Sequence, residues 1–160
     1  MRILGIDPGY ERLGIAVVEK NNSDRKEKVV FSECFKTPAK LDFGERLGML
    51  GEEVKKIIKK YSPDVISIET LFFEKNQKTA MRVAEARGVV VYEAACANVE
   101  IFEATPLQIK MATTGYGKAD KAQIIKMVKM LVALDEAKKS DDELDAIAIA
   151  ITAFAYRKNM

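Results

Sequence analysis

Two carboxylates in this 160-residue chain stand where apolar runs stop. Asp7 follows "RILGI" and Glu69 follows "VISI", and a third acidic group, Asp141, Asp142, Glu143 and Asp145, opens the apolar segment "AIAIAIT". Singly, each has an ordinary use. Asp7-Pro8-Gly9 is turn chemistry, Glu69 is a surface acid at a strand end, and Asp141 or Asp142 caps a helix. Together, acids at strand ends and at a helix start lie where α/β folds assemble sites. Carboxylates brought close repel one another and rise in pKa unless a cation sits between them. The sequence has no histidine, which excludes Ser-His-Asp and Cys-His mechanisms and removes the commonest zinc ligand. Oxygen donors alone favour a hard ion, Mg²⁺ or Mn²⁺. Two such ions about 4 Å apart activate water and stabilise the leaving oxygen in phosphodiester hydrolysis. In the last acidic group the spacing leaves the ligand pair open. Asp142 and Asp145 are three apart, Asp141 and Asp145 four apart, and both pairs share a helix face.

Basic residues gather near these acids in the sequence: Lys75, Lys78, Arg82 and Arg87 after Glu69, and Lys110, Lys118 and Lys121 around "TTGYGKADK". A charge run is usually a solvated face, but here it offsets the acids and suits phosphate binding. The lysines at 55–60 read as solvated. Phe72 and Phe73 follow Glu69 directly. Aromatics in such a place suit the core, and one of the two is expected there.

These groups must be positioned by five strands and intervening helices. Residues 2–6, 14–20 and 28–37 read as strands rich in Ile, Val and Phe, and the unbroken apolar run in the first predicts burial on both faces. Apolar residues recur at helical spacing over 43–61, Pro63 ends that helix, and 64–69 is a short buried strand. A helix is expected over 76–97, weakened in its middle by Gly88. A strand follows at 100–105, a short helix from Pro106, a loop over 113–121 and an amphipathic helix to about 134. The last helix runs from about 141 to 156. Hairpin-linked strands followed by strand–helix alternation predict an α/β three-layer fold, with a mixed five-stranded sheet and helices on both faces. Ribonuclease-H-like topology matches that order.

The length fits one domain over residues 1–160. Hydrophobic content of 48% and charge of 31% describe a globular chain. No secretory signal or membrane span is read, and Cys34 and Cys96 form no CxxC pair, which together predict reduced thiols and a cytoplasmic protein.

Four separated stretches, "GIDPG", "SIETLFFEKN" at 67–76, "EARGVV" at 85–90 and "DELDAIAIAIT" at 142–152, in this order and spacing, resemble the RuvC family of Holliday-junction resolvases. The resemblance covers nearly the whole chain. It implies a ribonuclease-H-like homodimer that uses Mg²⁺ and four carboxylates to nick two strands of a four-way DNA junction. Carried over by motif, those carboxylates fall on Asp7, Glu69, Asp142 and Asp145, with Asp7 bridging two ions. Phe72 matches the family's base-stacking aromatic, with Lys75, Asn76, Lys78, Arg82 and Lys118 as further DNA contacts. Lys110 and Lys121 match lysines near the active site, where Lys121 would act on the scissile phosphate. Some relatives carry histidine in the last acidic motif, and this chain has none there. The branch-migration proteins RuvA and RuvB are implied partners. The dimer contact is expected on the middle helix, at Ala80, Ala84 and Ala86. Three alternatives stand beside this reading. They are an actin-like ATPase, suggested by "GIDPG" but needing a second domain, a nuclease of the same fold acting on RNA, and a non-catalytic junction binder.

Overall fold

A computed structural model describes residues 1–21, 23, 25–71, 77–134 and 138–157, the side chains of Gln77 and Lys78 excepted. Its strands are β1 (Arg2–Asp7), β2 (Arg12–Glu19), β3 (Lys28–Lys36), β4 (Val65–Glu69) and β5 (Glu100–Ala104). Its helices are α1 (Phe43–Tyr61), α2 (Gln77–Cys96), α3 (Pro106–Thr114), α4 (Lys121–Leu131) and α5 (Asp141–Arg157). The sheet order is β3-β2-β1-β4-β5. The first three strands form an antiparallel meander, and β4 and β5 run parallel to β1. This is the mixed sheet and ribonuclease-H-like order expected from the sequence.

Alternation of side chains splits the core between the two faces. Leu4, Ile6, Leu13, Ile15, Ile66 and Ile68 point to one face and pack on α1 and α2. Ile3, Ala16, Val18 and Val65 point to the other, where α5 lies with α3 and α4 beside it. β1 is therefore buried on both sides, which accounts for its unbroken apolar run.

Small residues let α5 sit directly on the sheet. A Cβ at Gly5 would lie 2.1 Å from the Ala146 carbonyl oxygen, and one at Gly14 would lie 2.3 Å from that of Asp142. Between β1 and β5, the buried Ser67 hydroxyl donates to the Ile149 carbonyl at 2.8 Å. Glycine at 5 and 14 is thus required by close approach, not by backbone conformation.

Helix starts are closed by their own side chains. Asp42 with Glu45, Thr105 with Gln108, and Asp120 with Gln123 form reciprocal capping boxes on α1, α3 and α4. Ser140 does the same for α5: its Oγ accepts from the Glu143 N–H at 3.3 Å, and its N–H donates to the Glu143 carboxylate at 2.8 Å. Neither Asp141 nor Asp142 is needed as a cap.

Two sequence expectations are corrected. The loop placed over 113–121 starts later, because Thr113 and Thr114 continue α3. Their hydroxyls donate to the carbonyls of Ile109 and Lys110 at 2.7 and 2.8 Å, and Gly115, in the left-handed region at φ 71°, ends the helix. Ala86, expected at a dimer contact, is fully buried against the sheet with Val90 and Ala94. That buried stripe also carries α2 unbroken through Gly88.

Candidate active site

Strand register brings Asp7 and Glu69 together. Ile6 pairs with Ile68 in the parallel β1–β4 ladder, so the next residue on each strand is the acid. Because Ile6 and Ile68 face α1 and α2, Asp7 and Glu69 face α5. On α5, Asp142, Asp145, Ala146 and Ile149 share the stripe that lies on the sheet. The two acids of that stripe are 25% and 30% exposed, whereas Asp141 is 69% exposed. The helix phase thus turns Asp142 and Asp145 toward the sheet and Asp141 toward solvent. Gly14, opposite Asp7 in the β1–β2 register, admits the first turn of α5 beside Asp7.

The carboxylates strain against one another. Burial, then the charges of Asp145 and Asp142, push the Asp7 carboxyl up to about 6, against the lowering effect of Lys121. Burial, then Asp7 and Asp145, push Glu69 up to about 7. Both acids thus sit in a site that disfavours their ionised forms.

Cations and donors from neighbouring elements hold the acids of α5. Lys121 Nζ donates to Asp145 at 2.9 Å and lies 3.6 Å from Asp141. The bond to Asp145 raises the Lys121 pKa. Asp142 accepts from the Cys34 thiol at 3.3 Å and lies 3.8 Å from Arg12. One residue on, Glu143 accepts from Ser32 Oγ at 2.7 Å. Although burial pushes its carboxyl up, the bonds from Ser140 and Ser32 hold it below the usual range. Glu143 is therefore committed to structure. Arg87 is committed too: it donates to Glu103 at 2.5 Å and to the Glu69 carbonyl at 3.4 Å. It ties the ends of β4 and β5 together.

Asp7, Glu69 and Asp145 open into a cavity of about 350 Å³ whose far wall carries Lys110, Asp120 and Lys121. Lys110 is half-buried there, and Lys118 is exposed on the adjoining loop. Arg82 lies elsewhere, its guanidinium 5.5 and 5.1 Å from the ring centroids of Tyr10 and Phe43. Phe72, Lys75, Asn76 and the side chain of Lys78 fall outside the described residues. Sequence reasoning missed Gly14, Cys34 and Arg12. The signal available for Gly14 was its place opposite Asp7 once β1 and β2 are read as a hairpin.

The donor set fits a hard divalent ion: four carboxylates, no histidine, and two acids whose raised pKa values a cation would relieve. Among the described residues, no three such side chains close into an ion-holding cluster as they stand. Asp142 and Asp145 are instead turned to Cys34, Arg12 and Lys121. No helix of the described residues is long and apolar enough to cross a membrane.

Comparison with known proteins bears on this arrangement. Residues 3–153 match the family model described as "Crossover junction endodeoxyribonuclease RuvC". The chain is 44% identical over 160 residues to the crossover junction endodeoxyribonuclease RuvC of Halothermothrix orenii, covering 99% of this chain and 96% of that one. It is 47% identical over 151 residues to its counterpart in Caldicellulosiruptor saccharolyticus, covering 94% and 90%. Among solved structures, RuvC of Thermus thermophilus in complex with Holliday junction substrate superposes with a TM-score of 0.92 at 31% identity. That match covers 99% of this chain and 96% of the other. The yeast mitochondrial Holliday junction resolvase Ydc2 shares the fold, with a TM-score of 0.73 at 15% identity, covering 98% and 78%.

Proposed function

The chain belongs to the RuvC family of crossover junction endodeoxyribonucleases, and from that premise we propose that it resolves four-way DNA junctions in recombination and repair. Asp7, Glu69, Asp142 and Asp145 are its catalytic carboxylates and hold two Mg²⁺ ions, for which Mn²⁺ substitutes. One observation carries this assignment: acids from two strands and one helix meet at one cavity, with Asp7 held at raised pKa by burial and the acids of α5, and Glu69 by burial, Asp7 and Asp145. A protein that only bound DNA would gain nothing from buried anions facing phosphate. The family model's span, nearly the full chain, leaves no place for the actin-like ATPase alternative.

When bound, the ions supply Lewis acidity to the scissile phosphate and a nucleophilic water, giving 5′-phosphate and 3′-hydroxyl ends. The chain's residues do the rest. Asp7 and Glu69 must lose their protons to bind metal, and Lys121 favours that loss at Asp7. Lys121 offsets the charge of Asp145 and Asp141, and with divalent ions in place its ammonium serves the phosphate. Lys110, on the same wall, places a second positive charge beside the strand to be cut. Gly14 and Cys34 are positioning residues that set where Asp142 stands.

A four-way junction is approximately two-fold symmetric, so a C2 homodimer presents one site to each of two strands. The exposed face of α2, with Met81 67% and Tyr92 64% exposed, supports α2 as the dimer contact in place of the buried Ala86. Phe72 is the base-stacking aromatic of this reading, with Lys75, Asn76, Lys78, Arg82 and Lys118 as further DNA contacts. RuvA and RuvB as partners, one nuclease domain and a cytoplasmic location follow from the family reading. The test is gel-resolved cleavage of a synthetic four-way junction beside linear duplex and an RNA–DNA hybrid, with Asp7→Asn in parallel. Paired symmetric nicks on the junction alone, lost in the variant, are expected. Cleavage of the hybrid alone would move the substrate to RNA.

A further inference from the structure

The connection between α3 and α4 presents an aromatic ring that the carboxylates and lysines leave unused. Tyr116 is 55% exposed and stands between Gly115 and Gly117. Its backbone is pinned on both sides. The Tyr116 N–H donates to Thr114 Oγ1 at 3.0 Å, that hydroxyl donates to the Lys110 carbonyl at 2.8 Å, and the Tyr116 carbonyl accepts from the Ala119 N–H at 3.0 Å. Gly115 occupies the left-handed region, and a Cβ at Gly117 would lie 2.7 Å from Leu107 Cδ1, so the turn packs flush on α3. A fixed backbone carrying an exposed ring offers contact area at little entropic cost.

Lysines lie on both sides of the turn in sequence, Lys110 before it and Lys118 after it. Asp120 caps α4 and Asp145 pairs with Lys121. Ala119, Asp120 and Lys121 form a wall of the same cavity that Asp7 and Glu69 open into, so a strand seated there runs out past the turn. An exposed aromatic among lysines, continuous with a phosphodiester-sized cavity, is the composition of a base-stacking platform.

On the nuclease reading above, we infer that Tyr116 stacks on an unpaired nucleobase of the DNA junction on the α3–α4 side of the cavity. It acts as a second base contact, separate from Phe72. The ring meets a base and no phosphate, so its removal weakens binding without changing the number of phosphates neutralised.

The experiment uses the full chain with Asp7→Asn as a binding-competent, non-cleaving parent. It follows titration of a four-way junction carrying 2-aminopurine at successive positions on either side of the cut, at two salt concentrations. Tyr116→Phe is expected to bind within about twofold of the parent. Tyr116→Leu, of similar bulk without a π face, and Tyr116→Ala are expected to lose about 5- to 150-fold. They also lose the 2-aminopurine quench at one position, with the salt slope unchanged. A thermal melt of each variant separates lost folding from lost contact, and Tyr116→Ser, with the same loss of affinity and quench expected, carries the comparison if the Leu and Ala variants melt low. Parental affinity and an unchanged quench in a folded Tyr116→Leu would overturn the inference while leaving the junction reading intact. A parent that does not bind the junction overturns both.

Discussion

Replacing Gly14 by alanine tests whether backbone proximity, not the acids alone, makes the site. The new Cβ would fall 2.3 Å from the Asp142 carbonyl oxygen, 3.0 Å from the Asp142 carbonyl carbon and 3.1 Å from Asp7 Cβ. A relaxed C···O contact is about 3.3 Å or more, so the first turn of α5 must move outward by about 1 Å. A displacement of that size in a positioned catalytic group costs about 100-fold in rate. Overpacking costs about 1–3 kcal/mol, offset by the lower entropy of the unfolded alanine chain, about 0.4–1 kcal/mol. A net loss of about 1 kcal/mol lowers the melting temperature of a chain this long by about 2–4 °C. Junction affinity should change by no more than a few-fold, because the lysines of the cavity wall are not on α5. Gly48→Ala is the control. Nothing lies within 4 Å of a Cβ there, so it should gain about 0.5–1 kcal/mol of helix stability and cleave at the parental rate. Single-turnover cleavage, junction titration and calorimetry on the three proteins suffice. Full-rate cleavage by Gly14→Ala with an unchanged melt would refute the close-approach argument.

Other outcomes follow from the same geometry. Asp7 and Glu69 have folded-state pKa values raised to about 6 and about 7, above their unfolded values. Between about pH 4 and 7 the folded chain therefore holds more protons than the unfolded one, and metal-free stability falls as pH rises. Asp7→Asn should flatten that fall in melts from pH 4 to 8, and saturating Mn²⁺ should reverse it. Asp142→Asn should lose at least about 100-fold in cleavage, and Asp141→Asn no more than about twofold, as measured on the junction at saturating metal. Cys34→Ala removes a donor to Asp142 and should weaken apparent metal affinity about 10- to 100-fold, with the rate recovering at high Mn²⁺. A metal titration separates that from a fall in the maximal rate.

Much of this was readable from residue types because strands and acids carry local signals. An apolar run that stops on a carboxylate, twice, put Asp7 and Glu69 at strand ends, and parallel pairing then made them neighbours. The phase of α5 was not readable. Three- and four-residue spacings are equivalent on an isolated helix, and only the sheet decides which side is inward. Gly14 escaped because a glycine near a turn reads as turn chemistry, whereas here it makes room for another element's backbone. Cys34 and Arg12 act across more than a hundred residues of sequence on Asp142, a distance over which no spacing rule reaches. The end of α3 was misplaced for a local reason. Two threonines lower helix propensity, and their back-bonding to Ile109 and Lys110 is visible only once the turn has formed.

The reciprocal caps bear on who bends when protein meets DNA. β1, β3, β4 and β5 all end at the edge that carries Asp7 and Glu69, so α1, α2 and α3 begin there. α4 and α5 open beside the same cavity. The starts of α1, α3, α4 and α5 are closed by their own side chains, so among the described residues those helix starts owe their form to internal bonds and are set before any strand arrives. A stiff template leaves deformation to the nucleic acid. Continuous duplex must unstack to reach such a cavity, at a cost that rises with its stiffness, whereas a branch point is already open. Choice of a branched substrate then needs no reader of base sequence at this edge. It emerges from the mechanics of the DNA.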